Sequence, residues 1–238
     1  MDLHPRSPDE QLTPALDKRR QSRCDGARMR KPAKRRTQPR RAYHHGDLRR
    51  VLIATALELA EEQDVSNLTL REVARRAGVT HSAPYHHFPT KESLLAAVAE
   101  DGFRALYAEQ QKAAERAGPR AIDRLQALGV AYVRFAVAHR GHFRVMYRTD
   151  PEGWADYPAV LEASQQSFVL LTTTAEETRK AGGLDVDLLE MSLAAWSVVH
   201  GLATLWVDGP LRRLSVLTGG KPIDDVAARI TAFSTRQL

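Results

Sequence analysis

LTLREVARRAGVTHSAPYHHFPTKESL, residues 68–94, is the stretch from which the rest of the chain can be read. Thr69 stands directly before a run in which Leu70, Val73, Ala74 and Ala77 recur at helical spacing while Arg71, Glu72, Arg75 and Arg76 face away. That spacing predicts one short amphipathic helix with a threonine N-cap. Gly78 follows where a left-handed cap is wanted, Val79 can plug the corner, and Thr80 can cap a second helix through His81, Ser82, Ala83, Tyr85 and Phe88. Two short helices joined by a tight turn make a helix-turn-helix. Its second helix is narrow enough to enter the DNA major groove with its first residues at base edges.

The Gly78-Val79 turn, the Tyr85-His86-His87-Phe88 run, and Lys91 followed by Leu94 and Leu95 come in an order that resembles the DNA-binding domain of the TetR family of one-component transcriptional regulators. At Pro84 that family more often carries an aliphatic residue. Proline lacks an N–H and restrains Ala83, so the second helix is expected to start irregularly. The resemblance implies that Arg71 reaches a base or a phosphate, because a guanidinium suits guanine O6 and N7 as well as phosphate oxygens. Thr80, His81, Ser82 and Ala83 would open the recognition helix toward the groove, the last three setting sequence preference. Tyr85 and His86 would hold phosphates, as would Thr69 and Lys91 from the flanking helix starts, where backbone N–H groups favour an anion. His87 reads equally as a helix-end histidine satisfied within the fold, and Phe88 reads as core.

Around this unit the apolar spacing is helical throughout, and no alternating strand pattern is present. Leu48, Leu52, Ala56, Leu59 and Ala60 predict a first helix over 47–62, sharing a core with Val73, Ala74, Val79 and Phe88. A long linking helix is expected from Thr90 to about Ala117. Further helices carry Leu125 to Phe135, residues 158 to about 180, 185–207 and 223–234, with a short HFRVMYR piece between the first two. The predicted fold is all-α: a disordered basic tail over 1–43, a three-helix helix-turn-helix domain over 44–90, and a helical effector-binding and dimerisation domain over 91–238.

AWSVVHGLATLWVDG (195–209) and HRGHFRVMYR (139–148) resemble the WHG-type C-terminal domain of a branch of the TetR family. Members of the family commonly bind small effectors there, which makes Phe103, Tyr107, Phe135, Met146, Phe168, Trp196 and His200 candidate lining for a small, largely hydrophobic ligand. Each also reads as ordinary packing, and His200 as a buried histidine in need of a hydrogen-bond partner. The 185–207 helix is apolar on two faces. Leu189, Leu193 and Trp196 are assigned to the protomer's own core, and Val199, Leu202 and Trp206 to a homodimer seam of the kind the family builds from its last two helices. A dimer sets two recognition helices about 34 Å apart, one helical turn along a palindromic operator.

Composition bounds these readings. The chain has 238 residues, 43% hydrophobic and 27% charged, with a net charge of +6. Residues 1–43 hold thirteen Lys or Arg against five acids, a charge of +8, which leaves −2 for everything after them. The basic character therefore belongs to the tail, either a solvated extension, partly untranslated if synthesis begins at Met29, or an arm that follows DNA phosphates. Cys24 is the only cysteine, which excludes an internal disulfide and suits a reducing cytoplasm. No signal-peptide pattern is read, and Met191–Val207, the longest run without full charges, is 17 residues, short of the about 20 a membrane span needs. Nine histidines are the best case for catalysis. His139 and His142 share a spacing suited to a metal, but Arg140 and Gly141 put them in a connection, and no nearby carboxylate or cysteine completes a site. No phosphate-binding loop, dinucleotide fingerprint or nucleophile elbow is present. The expectation is a non-enzymatic, cofactor-free, cytoplasmic repressor acting as a ligand-responsive homodimer, with an activator or a non-specific DNA-binding scaffold as alternatives.

Overall fold

Thr69, Gly78 and Thr90 do in three dimensions what their positions in the chain suggest. The structure, a computed structural model, describes residues 45–148, 151–209, 211 and 219–235. The tail over 1–43, with the readings placed on it, lies outside them. Every regular element among the described residues is helical. The α-helices are α1 (His45–Glu62), α2 (Leu70–Arg76), α3 (Lys91–Arg116), α4 (Ala121–Ala138), α5 (Arg140–Arg148), α6 (Pro158–Gly182), α7 (Leu188–Val207) and α8 (Ile223–Ser234). Thr69 Oγ1 accepts from the Glu72 amide at 3.2 Å and starts α2. Gly78, at φ 70°, ends it: its amide donates to Arg75 O and the Val79 amide to Ala74 O, the paired bonds of a Schellman cap that β-carbon crowding would disfavour. Thr90 and Ser93 cap α3 reciprocally.

The expected recognition helix takes a different form. His81 and Ser82 lie in a turn, and only Ala83–His86 is helical, as a 3₁₀ segment. Pro84, buried, has no N–H to give Thr80, so Thr80 O receives the Ala83 amide instead at 3.0 Å, and the Tyr85 and His87 amides likewise bond three residues back. Only at Phe88 does the spacing relax, its amide reaching Pro84 O at 2.8 Å.

One cluster of buried side chains runs through the molecule. It begins with Leu52, Leu59, Val73 and Phe88, passes along α3 through Leu94, Val98 and Leu106, and continues into Tyr132, Phe135 and Ala203. The boundary drawn at residue 90 thus coincides with the start of α3 and not with a gap in packing. α5, expected as a short connecting piece, docks on α1. A Cβ at Gly141 would stand 2.8 Å from the Leu57 carbonyl, a separation that only glycine permits. Arg144 Nη1 donates to the carbonyls of Ala60 and Glu61, at 3.0 Å each. Those are among the last carbonyls of α1, which have no partner within their own helix.

On α7 Trp196 packs against the protomer's own core as assigned, but four of the other assignments are reversed. Val199 and Leu202 are 7% and 6% exposed and belong to the protomer's own core, while Leu189 and Leu193 are 56% and 41% exposed. Both stripes are apolar, and the neighbours decide between them: α4 and α8 pack on the side that carries Val199. Gly129 of α4 has no Cβ there because one would meet Val199 Cγ1 at 3.0 Å and Thr231 Cγ2 at 2.7 Å. Leu205 is exposed as well, Trp206 is half-buried, and Phe233 of α8 is 70% exposed. By length and composition alone α7, at 20 residues, could cross a membrane, whereas its uncharged run of 17 residues was expected to fall short.

Candidate nucleic-acid interface and effector pocket

The residues assigned to DNA sit on the outer side of the α2–turn–3₁₀ unit. Thr69, Arg71, Thr80, His81, Ser82, Tyr85 and His86 are exposed, and Ala83, His87 and Lys91 are half-exposed. Arg71 makes no ion pair among the described residues, whereas Arg76, on the same short helix, is paired with Glu62 and raises that helix's hold on α1. Thr80 Oγ1 and Ser82 Oγ stand 3.4 Å apart at the start of the turn. Lys91 is partly engaged: its Nζ donates to Ser66 O at 2.7 Å, tying α3 to the segment before α2. An ammonium carries three donors, so two remain for a phosphate. Beneath this surface Phe88 is buried under the Arg49 guanidinium, 5.4 Å from its ring centre.

A cavity of about 260 Å³ lies among α3, α4, α6, α7 and α8, with Tyr147 of α5 at one end. Of the residues proposed to line it, Phe103, Phe168 and Trp196 do. Four others do not. Phe135 points to α5, with its ring 6.5 Å from that of His142. Met146 packs against α3 where Gly102 leaves room for its sulfur. Tyr107 turns outward, its hydroxyl accepting from Gln111 Nε2 at 2.8 Å. His200 stands behind the wall, with Nδ1 2.8 Å from Tyr132 Oη.

Tyr132, Tyr147 and Gln110 line the cavity and were not anticipated as a set. Tyr147 is stacked edge-on to Phe103 at 5.7 Å, and Trp196 Nε1 donates to Tyr132 Oη at 3.4 Å. Burial pushes the Tyr147 phenol up to about 12 and the Tyr132 phenol well above the ordinary range, so both are protonated. Burial also holds His200 below the ordinary histidine value, which keeps its ring neutral beside the Tyr132 hydroxyl. The recurrence of aromatic residues at inward helical positions was the usable signal for Tyr132. Gln110, inside the polar run EQQK, offered none.

α5 touches both regions. Tyr147 reaches the cavity, and Arg144, one helical turn earlier, holds the end of α1.

Residues 52–98 match the description "bacterial regulatory proteins, tetR family", and residues 125–228 match "tetracyclin repressor-like, C-terminal domain". The HTH-type transcriptional repressor KstR2 of Mycolicibacterium smegmatis is 26% identical over 143 residues, 60% of this chain; the chain spans 63% of that relative's length. A protein of unknown function from Rhodococcus sp. RHA1 is similar at 38% identity with a TM-score of 0.68, over 84% of this chain and 99% of that one. A bacterial regulatory protein in the tetR family from Rhodococcus RHA1 has a TM-score of 0.63 at 24% identity, over 79% of this chain and 95% of that one. With a helix-turn-helix surface free for DNA and both halves of the described fold matched, this chain belongs to the TetR family of transcriptional regulators.

Proposed function

We propose that the protein is a cytoplasmic, non-enzymatic repressor that binds a palindromic operator as a homodimer and releases it when a small, largely hydrophobic effector enters the second region. The observation that carries this reading is the surface at Arg71, His81, Ser82 and Tyr85, polar, exposed and mounted on a buried core. Side chains held this way can meet base edges and phosphates without rearrangement of the backbone beneath them. Residues 44–90 are the DNA-binding region and 91–238 the region of effector binding and dimerisation.

Dimerisation is supported by the apolar surface of Leu189, Leu193, Leu205 and Phe233, which a lone protomer leaves in water. These residues replace Val199 and Leu202 as the seam. The link between effector and DNA is supported by α5, since a ligand that moves Tyr147 acts on the helix that holds α1. A coupling of about 1–3 kcal/mol is typical for such mutual antagonism. Residues 1–43 serve as an electrostatic arm on DNA phosphates, adding salt dependence and no sequence preference.

Selection of bound fragments from a random DNA library tests the reading directly. A repressor of this kind enriches a two-fold symmetric site. Similar binding to all duplexes at matched salt would instead make the protein a non-specific scaffold.

A further inference from the structure

The DNA-facing unit holds Arg49, Arg50, Arg71, Arg75 and Arg76. Arg76 is paired with Glu62, and Arg75 stands 3.9 Å from Glu72. Arg49 and Arg71 make no ion pair or hydrogen bond among the described residues. Arg71 is accounted for by DNA, whereas Arg49 has no role in the reading so far. It is exposed near the start of α1, and its guanidinium lies over the ring of Phe88, 5.4 Å from the ring centre. That ring is 3% exposed and belongs to the residue that ends the recognition segment, with its amide on Pro84 O at 2.8 Å. Stacking uses the face of a guanidinium and leaves the five N–H donors in its plane for other partners. An apolar side chain would cover the ring as well, so cover alone gives no reason for a cation whose donors are left to water.

Tyr85 and His86, both exposed, stand three and two residues before Phe88, and Lys91 three after it. Ser82, assigned to bases, is six residues before it, at the other end of the segment. Arg49 therefore reaches from a separate helix to the end of the recognition segment where the phosphate-holding residues gather. Resting on the reading of residues 44–90 as the DNA-binding region, we propose that Arg49 is a further DNA contact: held on the Phe88 ring, its guanidinium grips one backbone phosphate beside those of Tyr85 and His86. The planar fork of a guanidinium matches two phosphate oxygens. Stacking also orders the side chain beforehand, so less rotamer freedom is lost when the anion arrives. The contact carries no sequence information, since every step of the duplex offers the same phosphate. What it does is fix α1 against the backbone and, through Phe88, the end of the recognition segment with it.

The test uses the full chain on two duplexes, one of random sequence and one enriched by library selection, across a salt series. Arg49→Met keeps a long side chain over the ring and removes the charge. It should weaken binding to both duplexes alike, by about tenfold, and flatten the fall of log affinity with log salt by about 0.9 for each protomer bound. Binding is read well below the melting temperature of every variant, so a modest loss of stability leaves the result readable. Arg49→Lys keeps the charge and should keep the slope. Arg120→Met removes the same charge beyond the far end of α3, just before α4, and should change neither slope nor affinity. Slope and affinity unchanged in Arg49→Met would make Arg49 a cover for Phe88 and nothing more. A loss confined to the selected duplex would make it a reader of bases. Equal flattening by Arg49→Lys would trace the effect to stacking, and by Arg120→Met to net charge. Each of these overturns the proposal. If the unaltered protein binds neither duplex, the DNA-binding reading itself falls, and the proposal with it.

Discussion

Arg71, His81, Ser82 and Tyr85 stand exposed on a unit whose core is Leu52, Val73 and Phe88, whereas Gln110, Tyr132 and Tyr147 are enclosed among long helices. On the DNA side, core and contact surface are separate sets of residues, so one can change without the other. Around the cavity the same side chains pack and recognise: Tyr132 belongs to the buried cluster, edges Phe143 at 6.1 Å and also lines the cavity. Substitutions should therefore separate folding from function cleanly in the first region and mix them in the second.

The largest expected effect lies at α7, where the two regions meet the question of assembly. Leu193→Glu places a carboxylate on the exposed apolar stripe and, in a dimer, buries it without a partner at a cost of about 3–5 kcal/mol. Sedimentation should find monomers, and operator affinity should fall with the loss of the second half-site contact. Leu202→Ala should behave in the opposite way, costing about 2–5 kcal/mol of folding stability through a cavity while the folded protein stays dimeric. A dimeric Leu193→Glu beside a monomeric Leu202→Ala would restore the original assignment of the faces.

Next in size is Arg71→Ala, which should weaken operator binding by about 1–3 kcal/mol if the guanidinium makes a bidentate contact to a guanine, and leave thermal stability unchanged because Arg71 has no ion pair to lose among the described residues. Library selection then sorts base from backbone: a relaxed preference at one position means a base, and a uniform loss means a phosphate. Ser82→Ala should shift preference at a neighbouring position.

Tyr85→Phe removes one hydroxyl and should cost only about 0.5–1.5 kcal/mol, equally on operator and random DNA. An altered base preference with affinity intact would move Tyr85 from the backbone to the bases.

Helix limits were legible in the sequence because caps are local. Thr69, Gly78, Thr90 and Pro222 each act on residues within one turn, and the ends of α2, α3 and α8 follow them. The exposure of Arg71 on α2 was legible for the same reason, since the outward face of an amphipathic helix can be read from its spacing. Three features were not. The 3₁₀ form of the recognition segment depends on how Pro84 settles into the core, for which the sequence offered only a warning. The inward face of α7 depends on α4 and α8, since both of its stripes have the same hydrophobicity to offer. Gln110 looks like a solvated residue in a polar run, and only the approach of Ser167, 57 positions later, encloses it.

The smallest effect is a dependence of stability on pH carried by two histidines, His142 of α5 and His200 of α7. Burial holds His142 and His200 below 6.5, the ordinary histidine value; for His142 the neighbouring His139, with ring centres 5.9 Å apart, acts in the same direction while Glu61 opposes it. Tyr132 faces His200 and stays neutral across this range, so it adds no charge. Below 6.5 the unfolded chain takes up protons that the folded one refuses, and stability falls as pH falls; well above 6.5 both states are neutral and the contribution is flat. Glu176, held down to about 2 first by its bond with Arg179, loses its contribution only as pH drops through the carboxylate range, a separate and more acidic window. Thermal melts from pH 8 to about pH 5.5 should therefore show a decline that begins near the histidine value. His200→Asn keeps an acceptor for the Tyr132 hydroxyl and removes the titration, so it should flatten part of that decline. An unchanged slope in this variant would mean that His200 is protonated as readily in the folded protein as in the unfolded chain, and that the wall behind the phenols is open to water.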